Sequence, residues 1–394
     1  MTSCNQLPPV SSRGRILFVG SAFPPSNGGS MIVMRELLRN FSRSSYCIIA
    51  PRYQGQGANQ EVEARICRVG ARRLRPARLA AWIRLLQVPF LVGQGVEYAR
   101  KEGVVAVVAP YPSLDMLLLA LLISRRLRLP FYPYLHDTIF EALEKTSLRR
   151  IAGVIQRRVF KAARRIMVMS EGMADLYRQK YNLSCIPVLH PYHEPICGNL
   201  ETGGDGKLFW SGNIYGVNDK SFIRVVEVAS RLGITTVVAT LSDSVREFVN
   251  GVKSRGCLIE ITAYRNREDY INALKVHSAH ILVLNESANS DWGEEELATA
   301  FPTKTPEFLA SGRPIFVMCP ERYSLAKFFL KYDCGCVLTS TATDDEIAKG
   351  IQKVLSEGKD ELRWRKNAIA TARMFEASRV AKKFSSVLDD ATEE

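Results

Sequence analysis

The stretch FPTKTPEFLASGRPIFVM, residues 301–318, contains a turn, a very short helix and a buried strand in immediate succession. Thr305 is a favourable N-cap, and Pro306 suits the first helical position, where a missing N–H costs nothing. Gly312 can end the helix in a left-handed conformation, and the apolar run 315–318 has the length of a strand. This order predicts a loop–helix–strand unit of an α/β fold.

The start of this short helix also has the chemistry of an anion site. A helix of about two turns is too short to be stable by itself. Its free N–H groups, the positive end of its dipole and Lys304 just upstream favour a phosphate-bearing ligand. Glu307, in the first turn, can accept hydrogen bonds from ligand hydroxyls. A capped connector with a surface lysine and a dipole-compensating glutamate explains the same residues, so both interpretations stay open.

Outward from this stretch, strands and helices alternate on both sides of a Pro- and Gly-containing segment, residues 190–207. Alternation of this kind predicts parallel sheets covered on both faces. We therefore expect an N-terminal Rossmann-like domain at 1–195, a C-terminal Rossmann-like domain at 196–375, and a C-terminal helix at 376–394 that packs back on the N-terminal domain. The predicted strands are 15–20, 47–50, 104–109, 131–136, 165–170, 185–189, 208–212, 235–241, 258–263, 279–285, 315–318 and 335–340.

Composition agrees with two folded domains. The chain has 394 residues, 46% of them hydrophobic and 24% charged, as in soluble globular proteins. The N-terminus lacks the apolar region of a secretory signal, and the longest apolar run, 114–123, is too short to span a bilayer. Nine cysteines, an odd number, argue against a complete disulfide framework. These features predict a cytoplasmic protein.

The formal net charge of +13 is concentrated in the first half of the chain. Segments 71–90, 124–130 and 148–165 interleave arginine with apolar residues. Such interleaving predicts helices with one basic and one apolar side, which suit an anionic membrane surface on the cytoplasmic face. Solvated basic helix faces explain the same pattern. Nucleic acid is not predicted as a partner, because no RNA-binding signature, zinc finger or aromatic stacking platform is present.

Parallel sheets bind ligands beyond the carboxyl ends of their strands. The segments that follow the predicted strands are therefore the candidate binding loops. They are 21–29, the His136–Asp137 step, 211–220 and 285–304. Two such domains would place these loops around a common cleft, with a nucleotide-activated donor on one domain and an acceptor on the other.

Four features of the sequence carry a resemblance to a known family. They are FVGSAFPPSNGGSMIVMRELLRNF near the start, a strand that ends in HD, GN after the first strand of the second half, and PTKTPEFLASGRPIF. In this order and spacing they resemble retaining glycosyltransferases of the GT-B fold, in the glycosyltransferase family 4-like (group 1) branch. The resemblance covers nearly the whole chain. It implies a nucleotide-sugar donor, retained anomeric configuration and no required metal.

The resemblance also implies roles for individual residues. Glu307 matches the second glutamate of the family's E-x(7)-E motif, which usually holds the donor's ribose hydroxyls; Thr299 stands where the first glutamate would be. Asn213 stands in place of an arginine that grips the diphosphate, and Lys220 is its substitute. The implied catalytic residues are His136, Lys304 and Glu307. The implied donor-binding residues are Gly28, Gly29, Gly212, Asn213, Lys220, Thr299, Phe301, Pro302, Thr303 and Thr305, and Asp137 is on the acceptor side.

The residues and the resemblance together predict a glycosyltransferase that moves a sugar from a UDP- or GDP-linked donor to a saccharide or lipid-linked acceptor, in polysaccharide or glycolipid biosynthesis. Lys304, the N–H groups near Thr305 and Lys220 would stabilise the departing phosphate. We predict no separate cofactor. Two alternatives stay open: a sugar-nucleotide epimerase on the same fold, and a degenerate, non-catalytic relative that serves as a nucleotide-sugar-binding or scaffold protein.

Overall fold

The computed structural model describes residues 14–24, 28–52, 65–70, 79–143, 146–198, 200, 203–264, 266–287 and 293–389. The chain divides into two compact α/β units. Unit 1 comprises Met1–His193 and Glu376–Glu394, and unit 2 comprises Glu194–Phe375.

Unit 1 is built on a seven-stranded parallel sheet with the order β3-β2-β1-β4-β5-β6-β7. The strand order reverses between β1 and β4, which therefore form the switch point of the sheet. The strands are β1 (Arg15–Val19), β2 (Tyr46–Pro51), β3 (Ile66–Val69), β4 (Val104–Tyr111), β5 (Phe131–Leu135), β6 (Ile166–Val168) and β7 (Cys185–Pro187). The helices are α1 (Gly29–Leu38), α2 (Ala80–Lys101), α3 (Leu114–Leu127), α4 (Arg149–Ala162) and α5 (Glu171–Tyr181).

The sheet of unit 1 is buried on both faces, and its central strands are continuous apolar runs. In β1, Leu17 packs into the hydrophobic core on one side of the sheet and Phe18 into the core on the other. Both side chains are fully or almost fully buried. Burial on both faces is the reason why these strands read as unbroken apolar segments rather than alternating ones.

The helix that ends the described chain, α14 (Ala377–Asp389), covers one face of this sheet. Its Phe384 stacks on Phe18 with ring centroids 6.1 Å apart and meets Phe41 edge-on at 5.9 Å. Just before the helix, Glu376 forms a parallel bridge with Tyr192. The last part of the chain therefore belongs to the hydrophobic core of unit 1, although unit 2 separates the two in sequence.

Unit 2 has a six-stranded parallel sheet with the order β10-β9-β8-β11-β12-β13, and its switch point lies between β8 and β11. The strands are β8 (Leu208–Ser211), β9 (Thr236–Ala239), β10 (Ile259–Thr262), β11 (Ala279–Val283), β12 (Ile315–Met318) and β13 (Cys336–Leu338). The helices are α6 (Asp219–Arg231), α7 (Asp243–Lys253), α8 (Arg267–Val276), α9 (Glu294–Thr299), α10 (Thr305–Ala310), α11 (Ser324–Tyr332), α12 (Asp344–Leu355) and α13 (Lys359–Ala372).

Twelve strands were predicted from the sequence, and each is present: the bounds of β12 are as predicted, and those of the others are shifted by one or two residues. The thirteenth, β3, was missed. It is an edge strand of four residues, Ile66–Val69, and Arg68 interrupts its apolar pattern. Short edge strands carry little periodic signal, since only one neighbour holds them in the sheet. The fold prediction of two α/β Rossmann-like domains with parallel sheets is confirmed.

Candidate functional site

Lys304 lies at the carboxyl end of β8, next to the switch point of the sheet of unit 2. Its ammonium contacts the carbonyl oxygen of Ser211, the last residue of β8, and lies 3.8 Å from the ring centroid of Trp210. Gly212 follows with a φ of +96°, and a Cβ built there would come within 3.4 Å of the Lys304 Nζ. The positive φ favours glycine at this position, whereas a Cβ would come only to ordinary contact distance from the lysine.

The surroundings of Lys304 change its acidity. Burial lowers the pKa of the ammonium to about 7, and the nearby Glu307 carboxylate opposes this shift only in part. Within the described residues no carboxylate is ion-paired with Lys304, and an anionic ligand can replace the hydration that this buried ammonium has lost. An amine with such a pKa, at the strand end where parallel sheets bind ligands, is a candidate functional group.

Glu307 is held by two side chains of α8. Arg267 Nη1 donates to Glu307 Oε1 at 2.5 Å, and the Tyr270 hydroxyl donates to Glu307 Oε2 at 2.7 Å. Arg267 also contacts Glu194 at 3.4 Å. Both carboxylate oxygens of Glu307 are thus engaged, and its side chain is 14% exposed.

Ser211 connects the two parts of the site. Its hydroxyl lies 3.0 Å from the Tyr270 hydroxyl, which already donates to Glu307, so Ser211 is the donor in this pair. Its carbonyl oxygen meanwhile accepts from Lys304. Ser211, Arg267, Tyr270 and Glu307 form one chain of hydrogen bonds, which we term the Glu307 network.

Sequence reasoning missed Arg267 and Tyr270; it included Ser211 in the candidate loop 211–220 without assigning it a role. A signal was available, because Arg267 and Tyr270 lie in the first turn of α8, directly after strand β10. The other candidate loops were chosen because they follow predicted strands, and this segment does so as well. Asn266 caps α8 by accepting from the Asp269 N–H at 2.8 Å, which fixes the start of the helix and the direction of both side chains.

The start of α10 differs from the expectation. Lys304, not Thr305, is the N-cap residue, so Thr305 and Pro306 occupy the first two helical positions. The Thr305 N–H donates to the Pro302 carbonyl at 3.0 Å, and Pro306 has no N–H. Fewer free N–H groups therefore remain than the sequence predicted. The Thr305 hydroxyl is fully buried and has no hydrogen-bond partner among the described residues.

Lys220 is separate from this arrangement. Its side chain is exposed at the start of α6, and no described hydrogen bond or ion pair joins it to Lys304 or Glu307. The first turn of α6 is occupied by the protein itself: the Lys220 N–H donates to Asp219 Oδ1 at 2.8 Å, and the Ser221 N–H to Asn285 Oδ1 at 2.9 Å. An acidic side chain at this helix terminus disfavours a phosphate there.

The other donor-binding candidates of unit 2 have different surroundings. Thr299 is buried at the end of α9 and donates to the carbonyls of Glu295 and Glu296 at 3.1 and 3.0 Å. Phe301 packs between Phe328 and Phe375, with ring centroids 5.0 and 6.1 Å away. The remaining candidates lie on loops: Asn213 and Thr303 are exposed, and Pro302 is half-buried.

In unit 1, Gly28 and Gly29 lie at the start of α1. Gly28 is the N-cap and is exposed, and no atom lies within 4 Å of a Cβ built on it. Its carbonyl accepts from the N–H groups of Met31 and Ile32. Residues 25–27 of the same loop lie outside the described residues, so the expected closure of this loop over phosphates stays a prediction.

His136 and Asp137 directly follow β5. Neither ring nitrogen of His136 has a hydrogen-bond partner among the described residues, and the ring meets Tyr134 edge-on at 4.5 Å. Burial, with a smaller effect of His190, lowers the pKa of His136 to about 3, so the imidazole is neutral at neutral pH. Burial raises the pKa of Asp137 to about 6. Local backbone therefore does not satisfy the ring of His136 within the described residues.

The basic helices α4 and α2 differ in what they expose. In α4, Ala152, Ile155 and Val159 face the hydrophobic core, so the apolar side of the helix is not available to a membrane. In α2, Leu86 and Phe90 are 72% and 85% exposed. The expected basic segment at 71–78 lies outside the described residues. None of the described helices combines the length and the apolar character that a membrane span requires.

Comparison with known proteins supports the fold and a glycosyltransferase activity. Residues 28–187 match the model of the glycosyl transferase 4-like domain; they all belong to unit 1. No curated protein matches the sequence. Among solved structures, a glycosyltransferase from Rickettsia africae ESF-5 has 13% identity and a TM-score of 0.70, covering 98% of this chain and 100% of that one.

Two further structures extend this similarity. Sucrose-phosphate synthase from Thermosynechococcus elongatus has 13% identity and a TM-score of 0.68, with 96% of this chain and 99% of that chain covered. WaaG, described as a glycosyltransferase involved in lipopolysaccharide biosynthesis, has 12% identity and a TM-score of 0.61, with 95% and 99% covered. At these identities the structures show the fold alone. The family match and the shared fold together support a glycosyltransferase of the GT-B type.

Proposed function

We propose that this protein transfers a sugar from a UDP- or GDP-linked donor to a saccharide or lipid-linked acceptor, with retention of the anomeric configuration. The observation that carries the proposal is the meeting of Lys304 and the Glu307 network at Ser211, the carboxyl end of β8. A cation and a carboxylate at this place match the two parts of a nucleoside diphosphate, its phosphates and its ribose hydroxyls.

Lys304 has the chemistry to assist departure of the leaving group. When the C1–O bond breaks, its electron pair stays on the phosphate oxygen, and the ammonium of Lys304 stabilises the growing negative charge. The acceptor oxygen forms its bond to C1 on the face that the phosphate leaves. The departing phosphate oxygen takes the acceptor proton, so no enzymic nucleophile is needed. In this proposal Lys304 supplies the positive charge, and no metal ion is assigned a role.

The acceptor is assigned to unit 1, where His136 and Asp137 follow β5. The unpartnered ring nitrogens of His136 can hydrogen-bond the sugar or the acceptor hydroxyl. Asp137 lies beside it as an acceptor-binding group. We assign the reaction to polysaccharide or glycolipid biosynthesis at the cytoplasmic face of a membrane.

Peripheral contact with an anionic membrane is part of the proposal. Exposed arginines of α4 and the exposed Leu86 and Phe90 of α2 supply charge and apolar contact. Sedimentation with anionic vesicles at low salt should exceed sedimentation with neutral vesicles, and equal partitioning would contradict the assignment.

The donor assignment is tested by thermal shift and by turnover. Nucleotide sugars and the diphosphates UDP and GDP are compared, since a ligand that binds the native state raises the melting temperature. Glu307→Ala and Lys304→Ala should each remove the shift caused by the preferred nucleotide and cut transfer roughly a hundred-fold or more, with the unliganded melting temperature nearly unchanged. Normal activity in both variants would overturn the site assignment.

A non-catalytic nucleotide-binding protein is the second candidate. The observation in its favour is Thr299, which stands where the family has a glutamate and uses its hydroxyl inside its own helix. This candidate requires diphosphate binding without release of UDP or GDP from any donor in the presence of saccharide acceptors. Product analysis also separates transfer from epimerisation, because an epimerase changes the donor sugar without an acceptor.

A further inference from the structure

The Glu307 network holds a carboxylate in one position through two side chains of α8. Arg267 and Tyr270 reach Glu307 from α8, whereas Glu307 itself lies on α10. The Tyr270 hydroxyl in turn accepts a hydrogen bond from the Ser211 hydroxyl at 3.0 Å. Three elements, the end of β8, the start of α8 and the start of α10, thus converge on one side chain.

A carboxylate offers about four lone-pair positions for hydrogen bonds. Within the described part of the chain, one donor reaches each carboxylate oxygen of Glu307: Arg267 at Oε1 and Tyr270 at Oε2. Each oxygen therefore keeps capacity for a further donor. Two acceptor oxygens fixed side by side are suited to a pair of neighbouring hydroxyl groups, as on the 2′ and 3′ carbons of a ribose.

Fixing the side chain before a ligand arrives has an energetic reason. A glutamate near a helix terminus has several rotatable bonds, and ordering them on binding would weaken the affinity. Arg267 holds one oxygen of the carboxylate and Tyr270 holds the other, so the two contacts together fix its rotation. A partly exposed ion pair contributes little to stability. The pair between Arg267 and Glu307 is therefore poorly explained by a need to hold α8 against α10.

We propose that Arg267, Tyr270 and Ser211 are positioning residues that hold Glu307 as a reader of the ribose diol of the donor. The proposal rests on the proposed function, in which a nucleoside diphosphate binds at Lys304 and Glu307. The contact between Glu307 and the ribose is what the family resemblance implies; the new inference is that this recognition depends on Arg267 and Tyr270 of α8 and on Ser211 at the end of β8.

The experiment is a double-mutant cycle in which one change is made in the protein and the other in the ligand, and the Kd is measured for each combination. Isothermal titration compares UDP with 2′-deoxy-UDP and GDP with 2′-deoxy-GDP on the full chain and on Tyr270→Phe. In the unaltered protein, removal of the 2′ hydroxyl should weaken binding about ten-fold, since it removes a hydrogen bond to a charged group. In Tyr270→Phe the same removal should cost less than about three-fold, because the carboxylate is no longer held.

Two more variants report on the same network. Arg267→Gln should also reduce the difference between ribose and deoxyribose ligands, and Arg267→Lys should restore part of it by keeping the charge. Ser211→Ala removes only the hydroxyl that orients Tyr270 and leaves the backbone carbonyl that contacts Lys304. If Tyr270→Phe fails to fold, Ser211→Ala and Arg267→Gln carry the same test.

Matched controls come from the same unit. Tyr264→Phe alters a tyrosine whose ring lies 6.0 Å from that of Tyr270 and whose hydroxyl faces His277 at 3.5 Å. Arg363→Gln removes an exposed arginine paired with Asp333 and Asp360. Both controls should keep the full ten-fold preference for the ribose ligand, within a factor of about two.

The outcomes separate this inference from the proposed function. If the unaltered protein binds neither UDP nor GDP, the proposed function itself fails. If it binds one of them with a ribose preference that Tyr270→Phe, Arg267→Gln and Ser211→Ala all leave unchanged, the positioning role is overturned and donor binding stands. An equal loss for ribose and deoxyribose ligands would likewise assign these residues to structure alone.

Discussion

The carboxyl edges of the two sheets differ in how their polar side chains are satisfied. In unit 2, Ser211, Lys304 and Glu307 belong to one connected set of contacts. In unit 1, the ring nitrogens of His136 have no partner among the described residues. A buried polar group without a partner costs about 1–3 kcal/mol. Under the proposed function, unit 2 would hold its donor-binding groups in position before the donor arrives, whereas His136 of unit 1 would gain its hydrogen bonds only when a substrate binds.

The largest effect that tests this comparison concerns pH. Burial lowers the pKa of Lys304 to about 7, so the unliganded protein loses this charge as pH rises through that value. A bound diphosphate favours the charged ammonium and raises its pKa, so binding takes up a proton above neutrality. The Kd for UDP or GDP should therefore increase about ten-fold per pH unit between roughly pH 7 and 9.

Lys304→Arg is the matched variant for this measurement. Its guanidinium stays charged throughout this range, so its Kd should change little with pH, whatever its absolute affinity. Titration calorimetry in buffers of different ionisation enthalpy measures the proton uptake directly. An affinity of the unaltered protein that is independent of pH, without proton uptake, would remove the proposed contact between Lys304 and the diphosphate.

An intermediate effect is expected for His136. His136→Ala should lower kcat about ten-fold while the Kd for the nucleoside diphosphate stays the same, because the lost hydrogen bond serves the acceptor or the sugar. His136→Gln should retain part of the activity through its amide. His193→Gln serves as the control, since His193 contacts the Glu36 carbonyl at 2.6 Å. Loss of diphosphate affinity in His136→Ala would contradict the division of roles between the units.

The smallest effect is expected for Lys220. Lys220→Ala should change diphosphate affinity less than about two-fold, because an exposed lysine at a helix start occupied by Asp219 and Asn285 contributes little. The measurement is the same titration used for Lys304. A ten-fold loss of affinity would show that Lys220 reaches the phosphates, and that the start of α6 rearranges when the diphosphate binds.

The accuracy of the sequence predictions follows the strength of the local signal. Central strands such as β1 and β4 are unbroken apolar runs, and they were identified within a few residues. The edge strand β3 was missed because Arg68 breaks a segment of four residues. Lys304 and Glu307 were selected because they lie together in one short segment after a predicted strand, and their assignment to donor binding remains a prediction.

Contacts between distant segments were the part that sequence reasoning did not reach. Arg267 and Tyr270 precede Glu307 by 40 and 37 positions, and nothing local in their segment marks them as its partners. Lys220 was selected for its charge and its place after β8. The contacts of Asp219 and Asn285, which occupy the start of α6, depend on a residue 66 positions away from Asp219.

By itself, the sequence determined the α/β class, the alternation of strands and helices in two halves, and the short segment that carries Lys304 and Glu307. These features follow from local patterns of apolar residues, glycine and proline, which act within one element. Only the tertiary structure decided that Arg267 and Tyr270 hold Glu307, that Ser211 contacts Tyr270, and that His136 has no hydrogen-bond partner in the described part of the chain. Hydrogen bonds of this kind depend on which strand ends lie side by side, and the parallel sheet brings those ends together from segments far apart in the chain.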